Sequence, residues 1–251
     1  MVWRNADFGT PLSFLMTPFH FEDFREARVI KRGRNYVAIG DWLGRKVVVK
    51  QFRKATWANH LIYSFFRKTK AERSYENGRL LLSNGFDTPE PLAWSVRKSC
   101  GFYLDSVYVC AFISGDTLKE AMEKADAKRR AELIALYGKA MADMAQRGIL
   151  LRDSNLGNFI LQTDENGNEW LALVDINRLL KGKAVTPLAL LHAFGRSGFE
   201  GEEMEWLVAY YSQREGRSMS GVMSRYLSDC RRSSLMRRMK HSLKGCKMLQ
   251  I

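Results

Sequence analysis

Residues 151–177 read LRDSNLGNFILQTDENGNEWLALVDIN. Two apolar runs, NFILQ and WLALVDI, bracket an Asp-Glu-Asn-Gly-Asn turn, which is the pattern of a β-hairpin. A loop carrying Asp153 and Asn158 leads into the first run, and Asp175 follows the apolar stretch of the second. Taken singly these residues are ambiguous. Asp, Ser and Asn favour turns whatever the function, and an Asp after an apolar run can simply end a strand. What precedes them in the chain gives them meaning.

Toward the N-terminus, residues 27–52 read as three short strands, ARVIK, YVAIGDWLG and RKVVVKQF, with RGRN as the first turn between them. Lys50 stands near the end of the third. Residues 55–66 (ATWANHLIYSFF) space Trp57, Leu61, Ile62, Phe65 and Phe66 nearly helically between Arg and Lys clusters, predicting a basic amphipathic helix. Residues 70–84 predict a second helix, closed by Gly85 and then by Pro89 and Pro91, which cannot continue one. PLAWSVRK and GFYLDSVYVCAFI follow as a strand pair. After Ile113 the pattern changes: TLKE at 117–120 is a capping box, 127–147 is a long helical stretch ending at Gly148, and residues beyond Pro187 are helical with polar breaks. The expected fold class is α+β, with a β-rich N-terminal lobe (residues 1–114) and an α-rich C-terminal lobe (115–251) joined near Ser114-Gly115.

Composition narrows the function classes. The 251 residues include 14 Phe, 9 Tyr and 6 Trp, enough to bury a sizeable core and too many for a disordered chain. No apolar window approaches the roughly 18 residues of a membrane span. The opening MVWRNADFGTPLSFLMTPF, with Asp7 and two prolines, does not resemble a secretory signal, so a cytoplasmic location is expected. Cys100, Cys110, Cys230 and Cys246 and the four His show no zinc or disulfide spacing. The net charge of +13 favours an anionic partner, and it is concentrated: 45–70 and 231–247 carry Lys and Arg without a single acid.

Lys50, an acid on the helix after it, the 151–158 loop and Asp175, in that order in a β-then-α chain, are explained together by phosphoryl transfer from ATP. A strand lysine holds the α and β phosphates, and a helix glutamate orients it. An Asp near the attacked hydroxyl accepts its proton, while an Asn five residues later and a second Asp at a strand end hold Mg²⁺. Lys50, Asp153, Asn158 and Asp175 fill these roles. Glu76 is the chosen partner of Lys50, with Glu72 one turn earlier on nearly the same face. In the KRGRN turn, Gly33 and Arg34 are the candidate phosphate-loop residues.

LRDSNLGN keeps the Asp-to-Asn interval of a kinase catalytic loop, and LVDIN sits where the D-F-G segment belongs, so the chain resembles the protein-kinase-like fold. The D-x-x-x-G-N spelling, D-I-N and KAERSYENGRLLLSNGFDTPEPLAW resemble more specifically the lipopolysaccharide core kinases, the Kdo and heptose kinase group and its Bacteroidetes-type members. The likeness covers roughly residues 27–178. It implies ATP- and Mg²⁺-dependent phosphorylation of a sugar hydroxyl, Kdo first and heptose second, on a lipid A-core precursor. It also implies a peripheral position at the cytoplasmic face of the inner membrane. An anionic membrane surface is the expected partner, with no specific nucleic acid and no obligate protein partner. Three departures stand out: Leu151 at the catalytic-loop His position, Asn177 at the D-F-G glycine, and one glycine in the nucleotide loop. They leave two rivals in view, a pseudokinase or basic adaptor, and a protein or small-molecule kinase on the same fold.

Overall fold

The computed structural model describes residues 2–5, 23–33, 35–53, 68–99, 102–182, 185–225 and 227–228. The expected amphipathic helix at 55–66, Arg34 and the basic stretch 231–247 lie outside them. By contact the chain divides into two compact units, Met1–Glu123 with Leu151–Leu180, and Lys124–Leu150 with Lys181–Ile251.

The first unit is built on a six-stranded antiparallel sheet. Its strands are β1 (Val2–Asn5), β2 (Phe24–Lys31), β3 (Asn35–Trp42), β4 (Arg45–Phe52), β5 (Pro91–Ser99) and β6 (Phe102–Ala111), in the spatial order β1-β5-β6-β4-β3-β2. The three expected meander strands are all present. The turn between β3 and β4 places Leu43 at φ 50° and Gly44 at φ 76°, the left-handed pair of a tight hairpin whose twist matches its strands. Gly40 has a different reason to be glycine: a Cβ there would lie 2.2 Å from the Arg25 carbonyl oxygen.

Strand alternation sorts β4 onto two faces. Val47 and Val49 join Trp42, Leu92, Ala93, Val107 and Val109 in one buried cluster. Val48 and Lys50 point the other way, where Phe52, Tyr108 and Cys110 pack against Ala71 and Tyr75 of helix α1 (Lys70–Ser83). α1 begins at a full capping box that the sequence reading did not single out. Thr69 Oγ1 accepts from the Glu72 N–H, and the Glu72 carboxylate accepts from the Thr69 N–H. It ends before Gly85, at φ 76°, as its sequence predicts.

Helix α2 (Leu118–Lys124) follows the expected Thr117–Glu120 capping box. The second unit contains helix α3 (Ala127–Gln146), whose Tyr137 meets Phe199 edge-on at 5.2 Å between ring centres. It also contains helices α4 (Pro187–Phe194) and α5 (Glu202–Arg214). Gly138 of α3 lets α5 approach, since a Cβ would stand 2.8 Å from the Tyr210 ring.

Residues 150–180 hold two-residue strands β7 (Leu150–Leu151) and β10 (Leu179–Leu180) and the hairpin β8 (Phe159–Thr163) with β9 (Glu169–Leu173). The hairpin turn is held by Asp164, which accepts from the Asn166 and Asn168 N–H groups at 2.9 and 2.8 Å. This region was expected in the C-terminal lobe, yet Leu151–Leu180 belongs with the sheet-bearing unit. Hydrogen bonds explain the difference. Leu161 N–H donates to the Asp116 carbonyl, Leu173 N–H to that of Asp87, and the Thr88 hydroxyl to that of Leu173 at 2.6 Å.

Candidate active site

Lys50 occupies a central place in the sheet, opposite Val37 of β3 and Tyr108 of β6. Its ammonium donates to Asp175 Oδ1 at 2.5 Å, and its side chain is only 17% exposed. The pair lines a cavity of about 470 Å³, a volume suited to a small-molecule ligand. The walls are mostly apolar, with Val37, Val48, Tyr108 and Leu173 among them, and Lys50, Asn158 and Asp175 supply polar groups. An apolar slot with a cation and two oxygen-bearing side chains suits a flat base joined to a polyphosphate.

The segment carrying Asp175 is clamped from several sides. Val174 N–H donates to the Asn158 carbonyl at 2.8 Å, so the two candidate metal-binding residues are tied through the backbone. Asn77 of α1 is buried and donates its amide to the Ile176 carbonyl at 2.7 Å. Asp175 itself sits at φ 55°, a left-handed conformation that Asp tolerates better than most residues and that is found disproportionately at functional positions. Asn177, the departure from the D-F-G glycine, donates its side-chain amide to Asp175 Oδ1 at 2.6 Å. It orients the carboxylate from within the same turn.

Asn158 ends a short 3₁₀ turn, Leu156–Asn158, capped by the Asn155 side chain, which accepts from Gly157 N–H at 2.9 Å. Its amide Nδ2 donates to the Asp153 carbonyl at 2.7 Å, which leaves its side-chain oxygen available. Asp153 is 39% exposed, and Arg178 Nη1 reaches its two carboxylate oxygens at 3.2 and 3.4 Å. An open pair of this kind contributes only about 0–1 kcal/mol. Leu151, in the histidine position, is buried as ordinary core.

The candidate acids on α1 make other contacts. Glu76 pairs with Lys68, and this contact is the first cause of the raised Lys68 pKa. Glu72 serves the helix cap, and burial pushes its carboxyl above the usual range. Neither hydrogen-bonds Lys50, whose anion is Asp175. Gly33 has no positive φ, and a Cβ there would meet nothing within 4 Å. Its backbone therefore does not demand glycine. Lys31, two positions before it, lines the cavity.

Mg²⁺ prefers oxygen ligands and commonly takes one or two protein groups, filling its shell with water and phosphate oxygens. The Asp175 carboxylate and the Asn158 side-chain oxygen fit that requirement. Among the described residues no group of three or more His, Cys, Asp and Glu forms a metal cage.

Sequence reasoning missed Asn77, Thr88 and Arg178. Asn77 and Thr88 stand among polar neighbours, SYENGR and FDTPE, and carried no signal of their own. Arg178 directly follows the D-I-N turn, but its contact with Asp153 spans 25 positions and has no sequence signature.

The lipopolysaccharide kinase (Kdo/WaaP) family model matches residues 23–186, which contain every one of these groups. The chain belongs to that family. It is a phosphotransferase of the lipopolysaccharide core, acting on sugar hydroxyls, and it has a protein-kinase-like α+β fold. A solved structure described as WaaP in complex with acyl carrier protein is 14% identical. It matches with a TM-score of 0.57 over 84% of this chain and 90% of that one, a likeness of fold. The Rio2 kinase–ADP/Mg²⁺–phosphoaspartate complex from Chaetomium thermophilum matches at 14% identity and TM-score 0.47, over 85% and 73% of the two chains. No curated protein matches the sequence significantly. Among the described residues no helix is long and apolar enough to cross a membrane.

Proposed function

We propose that this lipopolysaccharide kinase uses Mg-ATP and transfers the γ-phosphoryl group to a Kdo or heptose hydroxyl of a lipid A-core precursor, with Asp153, Lys50, Asn158 and Asp175 as its working residues. The observation that carries the reading is the convergence of Lys50, Asn158 and Asp175 on one cavity, with Asp153 hydrogen-bonded through its backbone to Asn158.

Lys50 holds the phosphates, moving from Asp175 to the polyphosphate as the nucleotide enters. Asp153 aligns the acceptor hydroxyl and takes its proton, so that the oxygen attacks the γ-phosphorus as the bond to the β-phosphate oxygen breaks. Asn158 and Asp175 would hold Mg²⁺, which neutralises phosphate charge when bound. Most of the rate enhancement then comes from positioning and charge neutralisation. Glu76 is assigned as the Lys50 partner in the nucleotide-bound state, when Asp175 is engaged elsewhere. The net charge of +13 supports a peripheral position on an anionic membrane surface at the cytoplasmic face, where a lipid-linked acceptor resides.

The test is transfer of labelled γ-phosphate from Mg-ATP to purified Kdo-bearing lipid A precursor, beside a heptose-extended acceptor and casein. Asp153→Ala is expected to abolish turnover and keep Mg-ATP binding, whereas Asp175→Ala loses both. Equal Mg-ATP affinity in wild type and Asp175→Ala would overturn the metal assignment.

A further inference from the structure

We infer that Arg178 binds a carboxylate on the acceptor sugar, which makes the acceptor the acidic sugar Kdo rather than neutral heptose. The inference rests on Asp153 being the residue that receives the acceptor hydroxyl.

Arg178 Nη1 lies 3.2 and 3.4 Å from the two Asp153 carboxylate oxygens. The arginine side chain is 55% exposed and that of Asp153 39%, so water screens the pair and it contributes little to holding the fold. The backbone beneath it is fixed. Arg152 N–H donates to the Arg178 carbonyl at 3.0 Å, and the neighbouring Asn177 is anchored on Asp175. The guanidinium therefore pivots from a set point beside the proposed base, within reach of whatever that base receives.

Only Nη1 of Arg178 faces Asp153, and each carboxylate oxygen keeps a second lone pair for the acceptor hydroxyl, so the rest of the guanidinium fork stands ready for another anion. A carboxylate arriving with the acceptor supplies one, because the planar guanidinium fork matches it in two parallel hydrogen bonds. Kdo carries a carboxylate on its anomeric carbon, a few bonds from its ring hydroxyls. Heptose offers hydroxyls alone and would leave the rest of the fork without an anion. The lipid A phosphates are a second source of anion, and the choice of acceptors separates the two.

The experiment compares the full-length wild type, Arg178→Gln and Arg178→Lys with Mg-ATP on three acceptors: Kdo-bearing lipid A precursor, its Kdo methyl ester, and the same precursor without lipid A phosphates. The wild type should prefer acid to ester by roughly 10- to 100-fold in kcat/KM, as loss of a charge-assisted contact implies. In Arg178→Gln the ratio should fall toward one with KM for ATP unaltered, and Arg178→Lys should keep part of it. An equal loss on acid and ester would overturn the inference, leaving Arg178 a positioning residue for Asp153 and the kinase reading intact. Sensitivity to Arg178→Gln only through the lipid A phosphates would overturn it as well. Failure of the wild type itself to label Kdo would overturn the acceptor reading first, and is recognised without any variant.

Discussion

Among the described residues Lys50 meets one anion, Asp175 at 2.5 Å, while Glu76 is engaged by Lys68. If Glu76 takes over Lys50 when nucleotide binds, Glu76→Gln should raise KM for ATP about tenfold, the scale of one charge-assisted hydrogen bond. An unchanged KM would assign Glu76 to Lys68 alone. Cys110, on the cavity wall, is a second residue with a measurable consequence. Burial pushes its thiol up to about 12, against smaller opposing effects from the Tyr108 hydroxyl and the Lys50 charge. At pH 8 roughly one such thiol in ten thousand is ionised, whereas a free cysteine is about a quarter thiolate. Peptide-resolved iodoacetamide labelling should therefore modify Cys110 at least about 100-fold more slowly in the folded protein than in the denatured chain. A comparable rate in both would show the thiol to be accessible and ionised. Above pH 9 the unfolded chain releases this proton while the folded one keeps it, so this group's contribution to stability is lost as pH rises toward 12.

At the scale of elements, α1 does more than cover the sheet. Its Asn77 amide holds the Ile176 carbonyl and through it the turn on which Asp175 stands. Asn77→Leu should cost about 1–3 kcal/mol, because a buried carbonyl loses its donor. It should also lower affinity for Mg-ATP by letting Asp175 wander. Chemical denaturation and nucleotide titration of the same variant would check both, and wild-type affinity despite lost stability would reduce Asn77 to a packing residue. The sequence signals for elements were strong where they were local. The short strand runs in 35–52, the Thr117–Glu120 box, the glycine closures at Gly85 and Gly148 and the Asp-Glu-Asn-Gly-Asn turn each predicted an element that is present. The boundary at 114/115 was drawn from the switch between strand and helix patterns. Bonds from Asp87, Thr88 and Asp116 to the 159–173 hairpin, which tie it to the sheet-bearing unit, are invisible to local pattern.

For the whole molecule, the charge of +13 has a consequence independent of any one residue. Binding to vesicles containing anionic lipid should fall steeply as salt rises from about 0.05 to 0.5 M, since the screening length shrinks below the reach of scattered surface charges. Sedimentation with anionic and zwitterionic vesicles would measure it. Equal binding to both, insensitive to salt, would remove the electrostatic basis for membrane attachment.

By itself the sequence determined the α+β class, the order Lys50, Asp153, Asn158, Asp175 and the chemistry that order implies, because those signals lie in short-range pattern and in residue type. Tertiary structure alone decided which acid faces which base. Glu72 and Glu76 stand one helix turn apart; Thr69-Lys70-Ala71-Glu72 spells a capping box that the sequence reading passed over, but only the fold shows that Glu76 meets Lys68. It also decided that Asn177 anchors Asp175 from within its turn and that Arg178 stands on Asp153. Such pairings depend on where the backbone turns, and Coulomb and hydrogen-bond energies act over a few ångströms of space rather than along the chain.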